Sequence, residues 1–107
     1  MSVELTTMSD KLLCEIYKHY LTRLSNNISK EVAQSFSNDE LGSVESFLLE
    51  FNGGDYEYYL EELNKQNLIA QDIIGNFIIT DEAIVYMQKR FKNGIKDLVS
   101  FVSKLNH

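Results

Sequence analysis

The sequence predicts an α+β domain that is mostly helical, with a small β-hairpin and a long C-terminal helix. Three observations predict this fold class. Before residue 68, apolar residues recur every three or four positions in several segments, which is the period of an amphipathic helix. Short apolar runs then lie on both sides of Gly75-Asn76, a pair typical of turns. After Thr80, apolar residues repeat every seven positions as far as Leu105.

The composition restricts the class of protein. A chain of 107 residues has the length of one domain, and 44% hydrophobic residues suit a globular core. Cys14 is the single cysteine, so an internal disulfide is excluded. The N-terminus has no apolar region after a basic cluster, and no run approaches the roughly 18 apolar residues of a membrane helix. We therefore expect a reducing, cytoplasmic location without membrane contact.

The first half of the chain predicts helices separated by polar breaks. After a loose leader at 1–8, an apolar stripe predicts a helix at about 10–24. Ser29 is expected to cap a short helix over 29–36, and a strong apolar pattern predicts another helix over 39–51. The residues expected to face inward in the short helix are Val32, Ala33 and Phe36.

The next helix is predicted over 55–67, after the break Asn52-Gly53-Gly54. Asp55 suits its N-cap, and Asn67 suits its end because asparagine tolerates the left-handed conformation. Its expected buried positions are Tyr56, Tyr59, Leu60 and Leu63.

A hairpin should follow this helix. Leu68-Ile69-Ala70 begins a strand, and Ile73-Ile74 and Phe77-Ile78-Ile79 flank the turn pair Gly75-Asn76. Thr80 then caps the last helix, and the two acids after it suit the positive end of that helix.

The last helix carries a heptad stripe. Its apolar members are Ile84, Met87, Phe91, Ile95, Leu98, Phe101, Val102 and Leu105. A glycine, Gly94, stands where one core residue of the heptad is expected, so the alternative is a break into two helices. The stripe either packs on the first helix of the same chain or buries itself against a second copy. We take the second copy as the hypothesis, which predicts a homodimer.

The order of these elements resembles the winged helix-turn-helix superfamily. The residues that carry the resemblance are the helix exit, Tyr59-Leu60-Glu61-Glu62-Leu63-Asn64-Lys65-Gln66-Asn67-Leu68-Ile69, and the hairpin end, Phe77-Ile78-Ile79-Thr80. Asn67 and Ala83 stand where glycine is common in the superfamily. The resemblance covers about 10–92, and it implies that 39–51 and 55–67 form the helix-turn-helix. The domain is therefore predicted at 9–92, with 93–107 as an extension for dimerisation.

The resemblance implies DNA binding, with the helix at 55–67 in the major groove. The charges argue against it. Residues 31–88 contain twelve acids and one base, Lys65. Phosphate binding depends on lysine and arginine, so this face would repel DNA. We predict instead that it binds a basic partner protein through Glu57, Tyr58, Glu61, Glu62 and Lys65. If DNA is bound, the candidate contacts are Lys89, Arg90, Lys92 and Lys96, which are otherwise a solvated helix face.

The sequence predicts no catalysis, no cofactor and no metal site. His19 and His107 are isolated, and no Cys/His spacing suits zinc. The glycine pair at 53–54 follows a helix rather than a strand and lacks the lysine of a phosphate-binding loop. The chain is therefore predicted to be a winged-helix protein that regulates transcription through protein contacts, with a DNA-binding transcription regulator as the alternative.

Overall fold

The computed structural model of the chain describes residues 4–36 and 53–105. In these ranges the fold is α+β and mostly helical, as the sequence predicts. Its elements are α1 (Thr7–Ser25), α2 (Lys30–Ala33), β1 (Ser35–Phe36), α3 (Gly53–Lys65), β2 (Ile69–Gln71), β3 (Phe77–Ile79), α4 (Asp81–Arg90) and α5 (Ile95–Leu105). None of these helices combines the length and the apolar character that crossing a bilayer requires.

Helix α1 begins at Thr7, three residues before the predicted start. Thr6 is its N-cap: the backbone is extended there, and the Thr6 hydroxyl accepts a hydrogen bond from the Ser9 N–H at 3.3 Å. Leu5 and Met8 pack against the core. The predicted leader at 1–8 therefore overlaps the helix, because a threonine caps it earlier than the apolar stripe indicates.

Helix α2 is shorter than predicted. Ser29 caps it as expected, but it ends at Ala33, and Ser35–Phe36 form a strand. The strand forms because Phe36 pairs with Phe77 of β3, where the two rings stack with centroids 5.1 Å apart. Ala33 and Phe36 are buried as predicted, whereas Val32 is exposed. The helix predicted over 39–51 lies outside the described residues.

Helix α3 begins at Gly53, so Asp55 lies inside the helix rather than at its N-cap. Helix starts are the least certain part of a sequence pattern, and glycine adopts helical angles without steric hindrance. Leu60 and Leu63 are buried and Tyr59 is partly buried, as predicted. The predicted burial of Tyr56 lies outside the described side chains. Asn67 takes the left-handed conformation at φ 62°, which confirms its predicted role at the helix end.

The strands form one antiparallel sheet in the order β1-β3-β2. Its inner face is apolar and buried, and consists of Phe36, Ile69, Phe77 and Ile79. The sequence indicated Ile73 and Ile74 as strand residues, but they lie in the turn between β2 and β3. This turn is folded around Asp72. The Asp72 Oδ1 accepts hydrogen bonds from the N–H groups of Ile74 and Asn76 at 3.0 and 2.9 Å.

The single long C-terminal helix predicted from the heptad is wrong, and the alternative break at Gly94 is correct. Thr80 caps α4 as predicted, with its hydroxyl 3.1 Å from the Ala83 N–H. Helix α4 ends at Arg90, and Gly94 has φ 64°, a backbone conformation that favours glycine. The chain turns there, and α5 packs on α1.

This turn buries the heptad stripe inside the chain. Its members in the core are Ile84, Met87, Phe91, Leu98 and Val102. Phe101 is partly buried, Ile95 is 42% exposed, and the side chain of Leu105 lies outside the described residues. The stripe is therefore used within one chain, because the break at Gly94 folds its second half back onto α1.

Candidate functional site

The predicted partner-binding residues lie on one face of α3. Glu57, Tyr58, Glu61 and Lys65 are exposed, and Glu62 is partly buried. Four of the five line a shallow hollow of about 110 Å³, formed by Tyr58, Glu61, Glu62 and Lys65. We call these five residues the α3 face.

Two carboxylates of the α3 face already have partners within the chain. Glu62 Oε1 accepts a hydrogen bond from the Thr6 N–H at 3.0 Å and so holds the segment before α1. Glu61 lies 3.4 Å from the Lys65 ammonium, and both side chains are more than 60% exposed. Such an exposed pair contributes little stability. It does neutralise the single base of the face.

Tyr58 is the large apolar side chain of the α3 face. It is 62% exposed, and its ring meets Tyr59 edge-on with centroids 5.7 Å apart. Because Tyr59 packs against the core, its ring gives the Tyr58 ring a fixed contact within the chain. A tyrosine held in this way can bury a large area against a partner at a small cost in side-chain entropy.

The segment from β2 to β3, with its turn, forms a wing of low charge. Between Ile69 and Thr80, Asp72 is the single charged residue, and no base is present. The isoleucines at its tip are strongly exposed: Ile73 completely and Ile74 by 65%. The sequence pattern predicted these two residues as strand, and it therefore missed their exposure. The Asp-x-x-Gly-Asn order at 72–76 is the signal that identifies a turn, because an aspartate carboxylate commonly accepts a hydrogen bond from the backbone N–H two residues later.

Both outer edges of the sheet are occupied by side chains. On the β1 side, the Arg23 guanidinium donates to the carbonyls of Ala33 and Ser35 at 3.3 and 2.6 Å and lies over the Phe36 ring. On the β2 side, the Asn64 side-chain oxygen accepts from the Gln71 N–H at 3.1 Å. These contacts limit the pairing of another strand with either edge. Sequence reasoning missed both contacts, because they join residues on different elements.

One of the predicted nucleic-acid contacts is removed by an ion pair. Arg90 forms two parallel hydrogen bonds to the carboxylate of Asp10, at 2.6 and 2.7 Å. Its guanidinium also lies 4.8 Å from the ring centroid of Phe91 and 4.5 Å from that of Phe101. The hydrogen bonds to Asp10, opposed by burial, raise the pKa of Arg90. Arg90 therefore joins α1, α4 and α5, and it is unavailable to phosphate.

The other candidate nucleic-acid contacts lie at the surface. Lys89, Lys92 and Lys96 are exposed around the turn between α4 and α5. The distribution of charge thus leaves three lysines where the sequence indicated a group of four basic residues.

The thiol of Cys14 and the imidazole of His19, both on α1, have shifted pKa values. Burial, followed by the charge of Asp10, raises the pKa of Cys14 to about 12, so its thiol stays protonated at neutral pH. Burial, followed by the charges of Arg23 and Lys18, lowers the pKa of His19. Among residues 4–36 and 53–105, no three His, Cys, Asp or Glu side chains form a group that could hold a metal ion.

Comparison of this chain with family models, with curated proteins and with solved structures gives no match.

Proposed function

We propose that this chain is a non-catalytic winged-helix module that regulates transcription in the cytoplasm through protein–protein contacts, as a homodimer. The winged-helix part of the proposal is supported by the element order, in which α3 leads into β2, a turn and β3. It is also supported by the sheet order β1-β3-β2, which places β1, the strand that precedes α3 in the chain, beside β3.

The observation that carries the proposal is the charge of the surface that would meet DNA. In winged-helix proteins that surface is the exposed face of the helix before the wing, together with the wing. Here the helix contributes Glu57, Glu61 and Glu62, its one base is paired with Glu61, and the wing contributes Asp72. These carboxylates would repel phosphate. Affinity for nucleic acid depends on lysine and arginine, which neutralise phosphates and so release the counterions of the nucleic acid.

The homodimer requires a different surface from the heptad stripe. Because most of that stripe is buried in the core of one chain, it cannot also cover a second copy without unfolding.

DNA binding is the second candidate, and one observation favours it. Lys89, Lys92 and Lys96 are exposed close together in sequence, and two copies of the chain would double their number. This alternative loses Arg90 to Asp10 and gains nothing from the wing.

Fluorescence anisotropy with a labelled mixed-sequence duplex at about 50 mM salt tests the proposal, since phosphate-led binding is strongest at low salt. We expect no increase in anisotropy at any protein concentration. An increase that is abolished by Lys89→Glu and Lys92→Glu, but not by Lys65→Glu, would establish the DNA-binding alternative.

A lysine-rich peptide tests the α3 face directly. We expect the exchange of Glu57 for lysine to weaken its binding to the peptide about tenfold, because a favourable charge becomes an unfavourable one. Glu82→Lys is the matched control, since Glu82 is an exposed acid on α4. Equal weakening by both variants would mean that only the net charge of −6 attracts the peptide, and the α3 face would lose its proposed role.

A further inference from the structure

Two surfaces of opposite charge flank the first turn of α1. On the α3 side, Glu62 accepts a hydrogen bond from the Thr6 N–H at 3.0 Å. On the α4 side, Arg90 donates to the Asp10 carboxylate at 2.6 and 2.7 Å. Thr6 and Asp10 are themselves joined, because the Asp10 N–H donates to the Thr6 carbonyl at 2.9 Å. A single turn of α1 therefore connects the α3 face with the end of α4.

The α3 face suits a cationic side chain. Its acids are Glu57, Glu61 and Glu62. Its one base, Lys65, is paired with Glu61, so the face keeps a negative net charge. Tyr58 lies among these acids and is 62% exposed, and an ammonium group is attracted both by carboxylates and by the face of an aromatic ring. The hollow of about 110 Å³ on this face gives such a group a place to bind.

The end of α4 supplies a surface of the opposite charge. Lys89 and Lys92 are exposed and lie on either side of Arg90 in sequence. Neither lysine forms an ion pair with another described residue. Val85 lies one turn before Lys89 on the same face of the helix and is 46% exposed. We call Val85, Lys89 and Lys92 the α4 basic surface.

We propose that the basic partner of the α3 face is the α4 basic surface of a second copy of this chain. The inference rests on the proposed function, in which the chain is a homodimer and the α3 face binds a basic protein, and it assigns both properties to one contact. Because the two surfaces flank the same turn of α1, a two-fold axis at that end brings the α3 face of each copy against the α4 basic surface of the other. Each dimer then contains the contact twice.

Charge determines both the partner and its orientation. The chain carries a net charge of −6, so two copies repel each other unless surfaces of opposite charge meet. An α3 face against another α3 face would place carboxylates together, whereas an α3 face against an α4 basic surface places carboxylates opposite Lys89 and Lys92. Tyr58 and Val85 add exposed apolar area to the same contact. The complementary charges therefore favour the reciprocal arrangement over other pairings of these two surfaces.

Sedimentation velocity at about 50 and about 500 mM salt tests the inference. We expect the wild type to dimerise at the lower salt concentration and its dissociation constant to rise at least about tenfold at the higher one, because salt screens exposed charges. Glu57→Lys should weaken dimerisation about 100-fold, since the reversal of charge weakens each of the two contacts about tenfold. Lys92→Glu should weaken it by a similar factor. Circular dichroism verifies that the variants are folded.

An equimolar mixture of these two variants is the decisive sample. In a mixed dimer, the altered α3 face of the Glu57→Lys copy meets the altered α4 surface of the Lys92→Glu copy, and the second contact is that of the wild type. We therefore expect the mixture to dimerise within about tenfold of the wild type. Net charge alone predicts the opposite effect of Glu57→Lys, because this change takes the net charge from −6 to −4 and lowers the repulsion.

Two control variants make the same changes of charge outside both surfaces. They are Glu31→Lys on α2 and Lys104→Glu on α5, both at exposed positions. We expect each control to leave the dimer intact. Weakening by the controls as large as that by Glu57→Lys and Lys92→Glu would overturn the inference.

Four further outcomes overturn the inference. They are a wild type that is monomeric at every concentration, a dimer that resists both salt and the two variants, a loss that the mixture does not restore, and assemblies larger than a dimer, which would make the contact open rather than reciprocal. The peptide and duplex titrations separate this failure from that of the proposed function. A monomer whose α3 face binds the lysine-rich peptide refutes the contact between copies and keeps the protein-contact function, whereas duplex binding refutes that function.

Discussion

In the C-terminal helices and in the wing, burial is the opposite of what the sequence indicated. The stripe from Ile84 to Val102 has the spacing of an exposed dimer seam, yet most of it lies in the core. The pattern around Ile73 and Ile74 indicated strand residues, yet both lie in an exposed turn. Apolar spacing predicts which residues share a face, but it does not determine what covers that face.

A single glycine and a single aspartate account for this difference. Gly94 at φ 64° ends one helix and directs the next onto α1, so the stripe finds its cover within the chain. Asp72 gathers the N–H groups of the turn, so the two isoleucines lie outside the sheet. The predictions below test this contrast.

The largest effect is expected in the buried stripe. Leu98→Ala should lower the free energy of unfolding by about 3 kcal/mol, because Leu98 is completely buried and leaves a cavity. Ile95→Ala is the control from the same stripe, and it should cost less than about 1 kcal/mol, because Ile95 is 42% exposed. Urea denaturation measures both. Equal losses for the two variants would mean that Ile95 is covered as fully as Leu98, as it would be in a seam between two chains.

The next effect concerns the ion pair that joins the helices. Arg90→Met should cost about 2–3 kcal/mol, because it leaves the Asp10 carboxylate unpaired at a site where both side chains are less than a quarter exposed. The adjacent exposed base supplies the control, with Lys89→Met expected to change stability by no more than about 0.5 kcal/mol. Similar urea midpoints for the two variants would show that the pair does not hold α1 to α4.

A smaller effect is expected where α3 turns into the wing. Asn67→Ala should cost about 1 kcal/mol, because alanine is disfavoured at φ 62°, whereas Asn67→Gly should be neutral or stabilising. Thermal unfolding of both variants gives the comparison. An Asn67→Ala variant as stable as Asn67→Gly would argue against the left-handed conformation at this position.

The smallest effect is a dependence on pH in α1. Because burial and the neighbouring charges lower the pKa of His19 below its usual 6.5, the unfolded state binds more protons than the folded state below that value. The free energy of unfolding should therefore fall as the pH drops through about 6.5 toward the folded-state pKa. His19→Asn should flatten this part of the profile of urea midpoint against pH. An unchanged slope would assign it to other groups.

Local signals were predictable from the sequence because the groups involved lie within a few residues of each other. Ser29 and Thr80 cap their helices, and Asn67 ends α3, as their side-chain chemistry requires. The ion pair between Asp10 and Arg90 joins residues 80 positions apart, and no local pattern specifies such a pair. The early start of α1 at Thr7 and the strand at Ser35 were missed for a related reason, since a cap and a strand partner overrode the apolar period.

The surfaces were predicted less well than the elements. The acidic α3 face was identified because its members recur at helical spacing and most of them are exposed. The pairing that makes the sheet three-stranded was not predicted, because it requires β1 to lie next to β3, and the register of that pair comes from tertiary packing.

Hydrogen exchange at low and at high protein concentration tests the contrast between wing and stripe most directly. The account predicts fast exchange in the peptide that covers 72–76, where the turn is exposed, and slow exchange in the peptide that covers 95–105, whose helix packs on α1, at both concentrations. Exchange in 95–105 that slows only at high concentration would contradict it, because α5 would then be covered by a second copy.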